Sequence, residues 1–150
     1  MEVGVRGILK LVLAAGVAVL PQAAQAAAPA GVVAVKPWVR YLLPNIPAAG
    51  YMQLRNDGAA DVVLTGAASP ACGSLMLHKS EDKSGMAMMM AVPSITIPAH
   101  GSVTFAPGGY HLMCMKPKMK VGDKVVMRLS FQGGDGLDVP LPVYGASGAP

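Results

Sequence analysis

Apolar and polar residues alternate with a period of two over long stretches of this chain. Val125, Met127, Leu129 and Phe131 share one parity, while Lys124, Arg128, Ser130 and Gln132 flank them. Leu137, Val139, Leu141 and Val143 repeat the pattern, with Asp138, Pro140 and Pro142 between them. Such alternation predicts strands with one buried and one solvated face. Pro140 and Pro142 have no N–H to give to a ladder, so this last strand is expected at a sheet edge. Turn signals punctuate the chain at Asn56-Asp57-Gly58, Ser69-Pro70, Ser84-Gly85, 98–101, Pro107-Gly108-Gly109, Val121-Gly122-Asp123 and 133–136. Their spacing of about 8–12 residues favours an antiparallel sandwich or barrel. The Asn56-Asp57-Gly58 signal is expected to close a hairpin between residues 50–55 and 61–65. After residue 27 a helical period has little support, except around the methionines near residue 88.

The N-terminus follows a different pattern. Arg6 and Lys10 give a positive start, the run from Ile8 to Leu20 is apolar apart from Lys10, and Ala24-Gln25-Ala26 has the small-x-small form that signal peptidase reads. Residues 1–26 are therefore expected to be a signal peptide that exports the protein to the periplasm. The alternative is an uncleaved anchor, for which the apolar run is short. Residues 27–34 read as a flexible leader, 35–145 as one folded domain and 146–150 as a short tail.

Composition narrows the function. Hydrophobic residues make up 53% and charged residues 13%, which excludes a disordered charged tail. Aromatics are only 5% and the +4 net charge is scattered, so neither a base-stacking surface nor a phosphate-binding patch is expected. After export the protein should be free of stable membrane insertion, and a monomer is expected. No phosphate loop, Ser/His/Asp spacing or acid/base carboxylate pair marks an enzyme. Glu81 and Asp82 read as residues of a solvated loop.

The informative excess is 11 Met against 2 Phe and 1 Trp. Eight methionines lie between Met76 and Met119, together with His78 and His111. On a strand, Met76 and His78 leave one face and Leu75 and Leu77 the other; His111, Met113 and Met115 leave one face and Tyr110, Leu112 and Cys114 the other. Two such strands brought together would cluster imidazole and thioether donors without charge. Thioether sulfur is soft and suits Cu(I), and imidazole also binds copper. Hard cations want several oxygens, and zinc seldom takes thioether. A blue-copper centre would need a Cys thiolate with two His, and Cys114 has the opposite parity to His111. The competing reading is that the methionines fill a core or form a sticky surface in an interaction domain; Met52 and Met127 are expected in the core.

Read in order, His78, Met89, His111 and Met113 spell H-x10-M-x21-H-x-M. Around them stand Ala49-Gly50-Tyr51-Met52-Gln53-Leu54-Arg55-Asn56, Leu77-His78, Pro98-Ala99-His100-Gly101 and Pro107-Gly108-Gly109-Tyr110-His111-Leu112-Met113. With these strings the sequence resembles the PCuAC family of periplasmic copper chaperones over about residues 35–145. The resemblance implies an all-β, cupredoxin-like Greek-key barrel or sandwich. It implies Cu(I) held near the surface by His78, Met89, His111 and Met113. It also implies a copper-accepting partner, such as a cytochrome c oxidase subunit or a Sco-type thiol protein. A general copper buffer would use the same site without a dedicated partner. The chain departs from relatives that carry Met two residues after the first His, where it has Ser80. It also departs from those with a His/Met-rich C-terminal tail, since it ends Gly148-Ala149-Pro150. Met88 or Met90 remains an alternative to Met89, and Met115 to Met113. His100 is expected in a solvent-exposed turn. For Cys72 and Cys114 three readings stay open: a pair, free thiols or assistance to copper. Simple alternation argues against a bridge between regular strands, unless one cysteine lies at a strand end or bulge.

Overall fold

The computed structural model describes residues 28–150; the expected signal peptide lies outside them. Ten strands form, β1 (Val32–Arg40), β2 (Ala48–Asn56), β3 (Val62–Ala68), β4 (Ser74–Lys83), β5 (Met86–Ala91), β6 (Ile95–Ile97), β7 (Gly101–Phe105), β8 (Tyr110–Met115), β9 (Lys124–Phe131) and β10 (Gly136–Tyr144). They hydrogen-bond in the order β5-β4-β8-β7-β2-β1-β10-β9-β3-β6, so the all-β expectation holds. Among the described residues no helix is long and apolar enough to cross a membrane.

Alternation works as the sequence predicts in β9, where Val125, Met127, Leu129 and Phe131 are all buried, and in β10, where Val139, Leu141 and Val143 are. These side chains join Leu54, Leu64, Leu77, Phe105 and Leu112 in one hydrophobic core, with Met52 and Met127 filling it. Gly50 shows how closely the elements pack. A Cβ there would stand 3.2 Å from Leu112 Cβ on β8 and 3.2 Å from Met127 Sδ on β9. Its lack of a side chain lets the strand carrying His111 and Met113 seat against the core.

Three sequence expectations need correction. The leader does not extend to residue 34, because Val32, Val33 and Ala34 already pair with Asn56, Arg55 and Leu54 in the β1–β2 ladder. Residues 50–55 and 61–65 do not form a hairpin: β2 pairs with β1, β7 and β8, whereas β3 pairs with β6 and β9. The turn at Asn56 instead carries the chain from one part of the sheet to another. The Asn56 side chain is fully buried and organises this crossover. Its Nδ2 donates to Ala60 O (2.8 Å) and Ile97 O (3.2 Å), and its Oδ1 accepts from Gly58 N (2.9 Å). Third, β10 is no edge strand. It pairs with β9 along its length and with β1 through Val143 and Tyr144. The β1 pairing starts beyond Pro140 and Pro142, so neither proline owes a hydrogen bond on that side. Of the readings the sequence left open for the cysteines, the structure has the bridge: Cys72 and Cys114 form a disulfide, with Cα atoms 5.3 Å apart. Cys72 lies in the turn before β4, outside any strand, so strand parity never constrained it.

A candidate metal centre on the outer face of three strands

The antiparallel register of β4 and β8 places Met76 opposite Met113 and His78 opposite His111. Opposed residues leave the same face of a sheet, and here it is the outer face. The alternate residues Leu75, Leu77, Leu112 and Cys114 are buried in the core. The two imidazole centroids stand 5.7 Å apart. A metal–nitrogen bond of about 2 Å puts each centroid roughly 3 Å from an ion, so two rings on one ion stand about 5–6.5 Å apart.

The third element is the hairpin of β4 and β5. Ser84 and Gly85 both have positive φ (58° and 79°), as a two-residue type I′ turn requires. Asp82 Oδ1 accepts the Gly85 N–H at 3.0 Å. The turn sets the register that puts Met89 opposite Ser80, on the imidazole side. Met86, Met88 and Met90 lie opposite Lys83, Glu81 and Lys79 and face the other way. Geometry therefore separates Met89 from its neighbours, which sequence spacing alone could not do. The stretch that allowed a helical reading is this strand, and all six of its residues are exposed.

Met89, His111 and Met113 line one open pocket of about 350 Å³ together with Arg40, Ile46, Pro47, Ala48, Ala49, Tyr51, Ser80, Pro107 and Gly108. His78 is not in that lining but stands against His111. Ala49 pairs with Met113 across the β2–β8 ladder, and its small side chain leaves the space open. Met115 lies farther along β8, opposite Ser74, outside the pocket lining.

His111 is only 5% exposed, and its ring is oriented by the loop before it. Pro107 and Gly108 occupy the centre of a turn closed by Gly109 N–H to Ala106 O (3.0 Å), with Gly108 at φ 84°. Proline first and positive-φ glycine second is the type II pattern, which explains the Pro-Gly-Gly string. The turn aims Gly109 O at both Ser80 N (3.0 Å) and His111 Nδ1 (3.2 Å). A carbonyl only accepts, so Nδ1 carries the proton and Nε2 keeps its lone pair for a metal. His78 Nδ1 is buried without a hydrogen-bond partner, an unsatisfied nitrogen that an incoming cation would satisfy. Burial first, and then the neighbouring His111, lower the His78 pKa from the usual 6.5 and so hold the ring neutral.

The carboxylates beside the site serve the scaffold. Glu81 bridges Lys79 (2.8 Å) and Lys83 (3.7 Å), and Asp82 caps its turn. Among the described residues no group of three or more His, Cys, Asp or Glu stands together. The donor set is two imidazoles and thioethers. His100 is exposed in a positive-φ turn (54°), away from this set.

One contributor escaped the sequence reading. Arg40 lines the pocket and lies over the rings of Trp38 (5.7 Å) and Tyr51 (5.8 Å), with its Nε buried and unpaired. No local motif marks an arginine that reaches the site from a different strand. The parity Met76 shares with His78 is visible in the sequence, but its pairing with Met113 comes from the register alone, and it lies outside the pocket lining.

The chain is a small β-domain with a mixed imidazole and thioether face, and comparisons with known proteins identify its family. The sequence model of the LpqE-like family, described as "Putative lipoprotein LpqE-like", matches residues 32–143. The chain belongs to this family. The "Putative lipoprotein Lxx21020" of Leifsonia xyli subsp. xyli is 36% identical over 122 residues, 79% of this chain and 73% of that protein. Among solved structures, the Cu(I) form of DR1885 from Deinococcus radiodurans is similar at 37% identity and TM-score 0.62, over 77% of this chain and 79% of that one. The copper-bound PCuAC domain from PmoF2 gives 25% identity and TM-score 0.65, over 81% of this chain and 99% of that domain. The fold is cupredoxin-like, as the resemblance implied.

Proposed function

We propose that this protein is an exported Cu(I) carrier that holds its cargo with His78, Met89, His111 and Met113 and passes it on by ligand exchange. The observation that carries this reading is the β4–β8 register, which sets the two imidazoles side by side with Met113 adjacent, while β5 brings Met89 over the same pocket. The donors are neutral and half of them soft, which suits a monovalent copper ion better than zinc or a hard cation. The likeness to the Cu(I) form of DR1885 and to copper-bound PmoF2 supports the choice of metal. The disulfide leaves no thiolate for a blue-copper centre and suits an oxidising compartment outside the cytoplasm. The lipoprotein names of the relatives also agree with an envelope location. Both cysteines of this chain are committed to the disulfide, so neither supplies a thiol for acylation.

The site is built for release. Met89 is 62% exposed on an edge hairpin, whereas His111 is buried. A partner's donor can displace Met89 first and take the ion while His111 still holds it. The expected acceptor is a copper centre of cytochrome c oxidase or a Sco-type thiol protein. Cu(I) titration against a competing chelator tests the site: His78→Ala with Met113→Ala should weaken binding at least about a hundredfold, since two of four ligands go. Unchanged affinity would show that the ligand assignment is wrong. Deleting the gene and measuring oxidase copper at low copper supply tests delivery, and normal oxidase would favour a buffering role.

A further inference from the structure

The outer face of β4 and β8 does not end at the imidazole pair. One step away stand Met76 and Met113 as a directly opposed pair, and one step beyond that Met115 opposes Ser74. Three thioethers therefore adjoin one another on the face that carries His78 and His111. None belongs to the hydrophobic core cluster. Met76 is 38% exposed, and Met113 and Met115 are partly exposed. A half-solvated sheet face ordinarily carries polar or β-branched residues, so core filling does not account for three methionines here. Directly opposed side chains have Cβ atoms about 5 Å apart and diagonal ones about 7–8 Å apart. Each unbranched methionine side chain has three rotatable bonds to close such gaps.

We infer that Met76, Met113 and Met115 form a second, all-thioether Cu(I) subsite that adjoins the imidazole pair and shares Met113 with it. The inference rests on the proposed role of His78, Met89, His111 and Met113. Three neutral sulfurs with no carboxylate or thiolate select a soft monovalent ion. Movement between the two positions is ligand exchange. Copper remains Cu(I), Met113 stays bound, the imidazoles and Met89 leave, and Met76 and Met115 take their places. No electron or proton is transferred to or from the metal. The subsite gives cargo a stop on the open sheet face, beside the deeper pocket.

Two measurements on the disulfide-intact protein test this. In the first, His78→Ala with His111→Ala is titrated with Cu(I) against a competing chelator, and the loaded protein is studied by X-ray absorption. One Cu(I) should remain, at least about tenfold weaker than in the wild type, with a sulfur-only shell; adding Met76→Leu and Met115→Leu should abolish it. In the second, which needs no imidazole variant to fold, the wild type receives a second equivalent of Cu(I). That equivalent, held by Met76 and Met115 while Met113 serves the first ion, should add sulfur neighbours only, and it should disappear in Met76→Leu with Met115→Leu while the first equivalent keeps its nitrogen and sulfur shell. A second equivalent that is absent, or that survives both leucines and so belongs to the exposed β5 methionines, would overturn the subsite. A wild type whose first equivalent shows no nitrogen neighbours would instead sink the principal site.

Discussion

His78 and His111 share a face and, in the proposed site, an ion, but their protons are controlled differently. Gly109 O fixes the His111 tautomer, while burial and its neighbour lower the pKa of His78 below 6.5. Protonated imidazole cannot bind metal, so Cu(I) affinity should stay level from pH 8 to about pH 6.5 and fall below about pH 6. Chelator competition from pH 5 to 8 measures this, and a flat profile would mean that sulfur alone holds the ion. The stability of the metal-free protein should follow the same sign. A histidine whose folded pKa is lowered contributes stability that is present above its unfolded value and is lost as pH falls through the folded one. Arg40 acts on charge. A fixed cation repels a divalent ion twice as strongly as a monovalent one, so it favours Cu(I) over Cu(II) in the pocket. Arg40→Gln should lower the copper reduction potential by on the order of 40 mV, the equivalent of about 1 kcal/mol for one charge near a protein surface. Protein-film voltammetry reads it, and an unchanged potential would place the guanidinium too far from the ion to matter.

Each strand supplies the site with one or two donors and little else. The hairpin of β4 and β5 provides reach, and β8 provides the buried anchor. The disulfide ties the turn before β4 to β8, and Gly73 N–H to Met115 O (2.8 Å) and Lys118 N–H to Ala71 O (2.8 Å) reinforce it. The bridge spans 42 residues of sequence. For a loop of that size chain-entropy reasoning gives about 4 kcal/mol, with measured losses of about 2–5 kcal/mol when native bridges are removed. Cys72→Ala with Cys114→Ala should lower unfolding free energy within that range in urea titrations. Cu(I) affinity should fall much less under conditions where the variant stays folded, because neither sulfur is a ligand. A proportionate loss of metal binding would mean that the bridge sets the β4–β8 register itself.

At the scale of the whole molecule, the sheet order depends on crossovers that join distant parts of the chain. Asn56 controls one of them with three hydrogen bonds from a fully buried amide. Asn56→Ala removes those bonds and leaves Ala60 O, Ile97 O and Gly58 N to find other partners. It should cost about 2–3 kcal/mol, as measured by thermal or denaturant unfolding. A loss below about 0.5 kcal/mol would show that the loop satisfies itself with water. Because β2 also pairs with β8 at Ala48, Ala49 and Gly50, loosening β2 should broaden the NMR resonances of His111 as well.

The local features of this fold are legible in the sequence. Period-two alternation identified β9 and β10, the parity of Met76 and His78 against Leu75 and Leu77 identified the face, and the Pro107-Gly108-Gly109 string announced a turn. All of these depend on residues within a few positions of one another. The pairing of β2 with β1, β7 and β8 instead of β3, the interior place of β10, the bond between Cys72 and Cys114, the approach of Arg40 to the pocket and the pairing of Met76 with Met113 required the tertiary structure. Alternation states which way a side chain points, but not which strand lies beside it. Partners are chosen by the packing of a shared core across the whole chain, and no window of sequence contains that choice.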